Sequence, residues 1–256
     1  MTPDGAVPSG HPADSAGVPW GGRTLPPGGF AGDAGTADPA LAAALARRAA
    51  GAGSDAEVVA ALADARLLVP VVAVRTDTVG TGHGTSDKEA DMALVTLTGP
   101  DGRRALPAFS SVAALAGWDP AARPVPVASR RVAASAVAEG CDLLVLDPAG
   151  PVTFVVSRPA LWALGQGRPW VPAVQDPQVQ DAVQQAVQQA GAVVDGVLSV
   201  RAEPGEAAEL RVVLTVRTGL DAQEVHAVAA AVGARLQASE LLRERVDGVQ
   251  LAVVPG

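Results

Sequence analysis

From Asp38 onward the sequence switches repeatedly between two hydrophobic periods, and that switching constrains the fold more than any other feature. Leu41 and Leu45 lie four apart behind Asp38-Pro39, an N-cap residue followed by the imino acid suited to a first helical position. Ser54-Asp-Ala-Glu57 has capping-box spacing and opens a second stripe of Val58, Leu62 and Ala65. Leu67 to Val74 then reads as a strand. Pro70 cannot donate to a ladder, which predicts an edge or a bulge there. Met92 to Thr98 and Arg104 to Phe109 flank Gly99-Pro-Asp-Gly102, the pattern of a hairpin. Ser110 or Ser111 caps a short helix through Trp118, and a Pro-rich connection runs from Asp119 to Pro126.

The alternation continues. Arg130 to Glu139 is helical and Gly140 ends it. Asp142 to Asp147 brackets an apolar interior strand, Val152 to Val156 is another, and Ser157-Arg-Pro159 opens a helix through Leu164. After an aperiodic stretch, Asp176-Pro177 caps a helix with Val179, Val183, Ala186 and Ala190 inward. Strands at 193–202 and 209–217 alternate apolar and polar residues. Asp221-Ala-Gln-Glu224 caps a helix carrying Val225, Val228, Val232 and Leu236, and Val249, Leu251 and Val253 mark a last strand.

The fold class expected is α/β in the α+β sense. A disordered Pro/Gly-rich tail at 1–35 precedes a mixed-sheet domain of about five strands at 36–168. A linker at 169–175 leads to a smaller α-β-β-α-β domain at 176–256, with a three-stranded, largely antiparallel sheet. Apolar residues are 48% of the 256, but with no Tyr, three Phe and four Trp the core must be mostly Val, Leu and Ala.

Composition also excludes function classes. A net charge of -8 repels phosphate backbones, so nucleic acid is not an expected partner. The single cysteine, Cys141, rules out a disulfide within the chain. No run approaches the roughly 20 apolar residues of a membrane span, and the start lacks a basic-then-apolar signal. A cytoplasmic protein with no membrane association is expected.

No reactive constellation emerges. Gly80-Thr-Gly82-His-Gly84 lacks the spacing and the following helix of a dinucleotide loop, and reads as a flexible connection. His83 has Asp87, Glu89 and Asp91 nearby, but the spacing fits no known ion loop and an acidic, solvated loop is favoured. Cys141 opens an apolar strand, where free thiols are buried and inert. Asp142 and Asp147 are ordinary strand-end turn chemistry. His11 sits in the tail and His226 borders a helical stripe. No cofactor, metal or catalytic residue is expected.

Several segments together resemble the SseB N-terminal domain: SDAEVVAALADARLLVPVVA at Ser54 to Ala73, DKEADMALVTLTGPDGRRALPAFSSVAALAGWD at Asp87 to Asp119, Arg123-Pro-Val-Pro126, and DLLVLDPAGP at Asp142 to Pro151. The resemblance spans about 38–168, and the unit from about 176 to 254 resembles the SseB C-terminal domain. The load of Ala, Val, Gly and Arg, with Lys88 the one lysine, is that of a proteome biased toward GC-rich codons, and the resemblance is to the family's actinobacterial type. The resemblance implies a fold and a cytosolic setting, and no reaction, cofactor or catalytic residue.

The most informative cluster is Phe109, Trp118, Arg123, Pro124 and Pro126. Trp, Arg and Pro together build recognition grooves, whereas core packing is the favoured account of Phe109 and leaves Trp118 and Arg123 open. The expected function is a non-enzymatic protein-interaction module with an unidentified protein partner. The alternative is a small-molecule-binding or enzymatic protein connected with amino-acid (serine or sulfur) metabolism, supported by the family's name alone. Trp162 and Trp170 flank the linker and are expected to cement the domains, while Trp20 is left open between a loose and a docked residue.

Overall fold

The computed structural model describes Phe30 and residues 32–74, 91–191, 195–205 and 208–256. Contacts divide the chain into two units, Met1–Ala34 and Gly35–Gly256. In the first, a turn donates the Asp33 N–H to the Phe30 carbonyl at 3.0 Å. All that follows concerns the second.

The fold is α+β. Its first part runs α1 (Pro39–Ala49), α2 (Asp55–Leu62), β1 (Arg66–Val74), β2 (Asp91–Leu94), β3 (Leu97–Thr98), β4 (Arg104–Ala108), α3 (Val112–Trp118), β5 (Arg123–Ala128), α4 (Ser129–Ala138), β6 (Leu143–Leu146), β7 (Phe154–Val156) and α5 (Arg158–Gly165). A 3-10 turn at Ala173–Gln175 leads to α6 (Pro177–Gly191), β8 (Val197–Pro204), β9 (Leu210–Val216), α7 (Ala222–Ala238), α8 (Glu240–Arg245) and β10 (Val249–Pro255). The caps are those the sequence encodes. The Asp38 carboxylate accepts from the Ala40 and Leu41 amides, and Ser54/Glu57 and Asp221/Glu224 form reciprocal capping boxes.

The expected single sheet of about five strands is instead two sheets. One has the order β2-β1-β5 and is antiparallel; the other has the order β3-β4-β6-β7, with β4 and β6 parallel. The stretch Met92 to Thr98, read as one strand, divides between them: β2 pairs with β1 and β3 with β4. The sheets meet at one bridge, where Leu68 and Phe109 exchange both backbone hydrogen bonds at 2.8 and 2.9 Å.

That bridge explains how β1 and β5 tolerate three prolines. β1 is central, not the edge that Pro70 predicted. Along a strand, backbone groups of alternate residues point to opposite sides. Leu68 bonds Phe109, so Leu68 and Pro70 both turn their backbone away from β5. Pro70 thus falls at the seam between the Phe109 bridge at Leu68 and the β2 ladder that starts at Val71, where its missing N–H leaves no gap. Its partner across the ladder is Pro124, and Leu68 faces Pro126. Both prolines of β5 therefore occupy positions whose N–H would point outward. This is why the stretch expected as a Pro-rich connection forms a strand.

The buried side chains form three clusters. Leu67 and Val69 on one face of β1 join Leu106, Leu144, Leu146, Phe154 and the inner faces of α1, α2, α4 and α5. Leu68, on the opposite face, packs with Phe109 and Leu115. The third cluster holds Val179 and Val183 of α6, Val212 and Leu214 of β9, and Val228 and Val232 of α7. There the sheet order is β10-β9-β8. β8 is antiparallel to β9, but β10 is parallel to it, because α7 and α8 return the chain to the end where β9 begins. The short α8, capped by Ser239, was not legible as a separate helix. The stretch 169–175 is packed into the structure: Trp170 lies against the first cluster and Ala173 is buried in the third. No helix among the described residues is long and apolar enough to cross a membrane.

Candidate functional site

β4 ends at Ala108, and the next residue delivers Phe109 to the far face of β1, where it is fully buried. Ser111 then caps α3 by accepting from the Ala114 amide at 3.1 Å, and this short helix sets Trp118 over Phe109. The two rings lie 5.3 Å apart at 41°, a tilted aromatic contact, and Trp118 stays half-buried. The chain leaves α3 through an Asx turn, in which the Asp119 carboxylate accepts the Ala121 amide at 2.9 Å. Ala122 returns to the same apolar cluster, and β5 begins one residue later. Arg123, Pro124, Val125 and Pro126 are all exposed.

Of the residues singled out in the sequence, Phe109 is therefore a buried floor and Trp118 a half-buried ring upon it. Arg123 and Pro124 are surface groups on an adjoining edge strand. An ordinary sheet edge offers alternating N–H and C=O groups to an added strand. Here the outward positions 124 and 126 are prolines without an N–H, so strand addition along this stretch is suppressed.

The remaining candidates do not converge. Cys141 is buried within the first cluster, and burial pushes its thiol up from the ordinary value. Asp142 accepts the Arg104 amide at 3.1 Å, while its own amide donates to the Arg104 carbonyl, extending the β4–β6 pairing. Asp147 lies at the other end of β6. It sits in the left-handed region at φ 51° and accepts from Ser110 twice, from the amide at 2.8 Å and from the hydroxyl at 2.7 Å. Burial nonetheless dominates and raises its pKa from the ordinary aspartate value. His226 is exposed on α7. Trp170 is packed against the first cluster, whereas Trp162 is exposed.

The glycine loop 80–84, His83, Asp87, Glu89, His11 and Trp20 lie outside the described residues, and Asp91 opens β2. Among the described residues no group of three or more His, Cys, Asp or Glu side chains is placed to hold a metal ion.

Residues 41–163 match the family model described as the SseB protein N-terminal domain. No curated protein and no solved structure matches the chain.

Proposed function

We propose, from the premise that this chain belongs to the SseB family through residues 41–163, that it acts as a non-enzymatic cytosolic protein-interaction module. The contact surface is Trp118, Arg123 and Pro124, with Phe109 beneath. One observation carries this reading: a Trp braced on a buried Phe, beside an exposed Arg-Pro-Val-Pro edge whose outward positions 124 and 126 lack an N–H. Trp and Arg are the side chains that most often dominate protein interfaces, and a braced ring loses little freedom on binding. The same reading treats 36–168 and 176–256 as separate domains joined by 169–175.

The test is a comparative pull-down from native lysate with wild type, Trp118→Ala plus Arg123→Ala, and Trp162→Ala as a control for an exposed Trp elsewhere. A partner recovered with wild type and the control but lost with the double variant is the expected result. No partner with wild type, or every partner retained by the double variant, removes this surface as the site.

A further inference from the structure

An aspartate followed by glycine can close on its own backbone. The glycine nitrogen joins the aspartate Cγ, the amide proton and the carboxyl hydroxyl leave as water, and a second water opens the cyclic imide to isoaspartate. Glycine favours the step because no Cβ shields its nitrogen or restrains its backbone. The rate then depends on whether the fold brings nitrogen and carboxyl together or holds them apart. The sequence has four such pairs, at Asp4, Asp101, Asp195 and Asp247, and the first lies outside the described residues. Asp195 and Asp247 share the same flanks, Val-Asp-Gly-Val at 194–197 and at 246–249, so any difference between them is set by the fold.

Two of the three described pairs are held apart. Asp101 accepts the Arg103 amide at 3.1 Å and the Arg103 guanidinium at 2.6 Å, while the Gly102 amide donates instead to the Gly99 carbonyl at 3.0 Å. The same Arg103 side chain holds the Asp101 carboxyl below its ordinary value, so it stays ionised, the form that resists attack. Asp247 has a side chain only 19% exposed, paired with Arg103 at 2.8 Å. Its backbone is pinned as well: the Asp247 amide donates to Glu209, and the Gly248 carbonyl accepts the Leu210 amide at 3.1 Å.

Asp195 is the opposite case. Its side chain is 92% exposed, and its ion pair with Arg217, at 3.5 Å between two exposed groups, restrains it little. The Gly196 amide donates to Asp195 Oδ1 at 2.9 Å, so the nitrogen and the carboxyl that must join are already in contact. The fold also requires this glycine. Gly196 sits at φ +114°, and a Cβ there would stand 3.0 Å from Leu220 Cδ1. Its carbonyl accepts the Arg217 amide at 2.8 Å, and β8 begins at the next residue.

We propose that Asp195-Gly196 is a self-modification site, at which the folded chain forms a succinimide and then isoaspartate. The imide removes the charge that faces Arg217. Isoaspartate lengthens the backbone by a methylene immediately ahead of Val197 and β8. The site is independent of the Trp118 surface.

The test follows the full chain during storage at mildly acidic pH, in native buffer and in urea. Samples are digested, and the peptides carrying 101, 195 and 247 are resolved into Asp and isoAsp forms by chromatography with mass spectrometry. In native buffer isoaspartate at 195 is expected to form about ten-fold or more faster than at 101 or 247, because misplacing reacting groups by ~1 Å can cost about 100-fold. In urea, where the restraints on 101 and 247 are gone, positions 195 and 247 are expected to react at similar rates. Asp195→Glu keeps the charge but would have to close a larger ring, and is expected to leave that peptide unmodified in a chain that still folds. Isomerisation at 195 no faster than at 247 in the folded chain overturns the proposal. So does the native ranking persisting in urea, or the same product appearing in the Asp195→Glu peptide.

Discussion

Asp147 shows how a single carboxylate can be structural while resembling a catalytic group. It is buried, its pKa is raised, and it occupies a conformation that non-glycine residues seldom adopt. Yet both of its oxygens are used by Ser110, which ties the start of the α3 turn to the end of β6. Asp147→Ala strands two buried donors and adds left-handed strain, and is expected to destabilise the fold by about 2–3 kcal/mol in denaturant melts. The pH dependence has a definite sign. A carboxyl that titrates higher in the folded than in the unfolded state makes the folded state bind its proton more tightly. Stability contributed by Asp147 therefore falls as pH rises from the ordinary aspartate range to the raised value, and is flat above it. Thermal unfolding from pH 3 upward should show this slope in wild type and a flatter one in Asp147→Asn. Burial raises Glu209 too, so its contribution has the same sign. Phe109 acts differently: Phe109→Ala removes the floor under Trp118 and is expected to cost about 3–5 kcal/mol, with a red-shifted Trp emission.

At the scale of elements, β5 carries a device that restricts what the edge can do. Pro124 and Pro126 point their nitrogen positions outward, so the strand pairs with β1 on one side and offers few donors on the other. Pro124→Thr with Pro126→Thr restores two outward N–H groups. Stability is expected to change by less than about 1 kcal/mol, since neither proline interrupts the β1–β5 ladder. Size-exclusion chromatography at rising concentration should reveal edge-to-edge association absent from wild type. If the double variant stays as monodisperse as wild type, the prolines do not guard this edge. The same strand shows where sequence reading falls short. A run of Arg-Pro-Val-Pro argues against a strand, because local propensity counts each proline as a lost donor. Whether the donor is needed depends on which way the residue faces, and that is set by Phe109, which bridges β1 some 15 residues earlier in the chain than Pro124. Caps were legible, by contrast, because Ser54/Glu57 and Asp221/Glu224 act within one turn. The parallel setting of β10 was not, since it depends on how α8 redirects the chain.

For the whole molecule, 169–175 is the informative stretch. Its two prolines and lack of period read as a linker, but Trp170 and Ala173 are packed into different clusters. Arg103 with Asp247 and Arg158 with the Arg243 carbonyl add ties that also join residues distant in sequence. Limited proteolysis is expected to spare 169–175 in wild type and to cut there in Trp170→Ala. Of the candidate site, the sequence showed the residue types, Trp118, Arg123 and Pro124. It could not show that Phe109 braces the ring or that the edge lacks donors.

The central claim is that recognition occurs at the Trp118–Pro124 face. Site-specific photocrosslinking in cells tests it directly, with the photoreactive residue placed at Val125, 37% exposed on β5, or at Leu198, 63% exposed on β8. The expected result is a discrete protein adduct from position 125 that disappears with Trp118→Ala, and none from position 198. No adduct at 125, or the same adduct from both positions, would contradict the account.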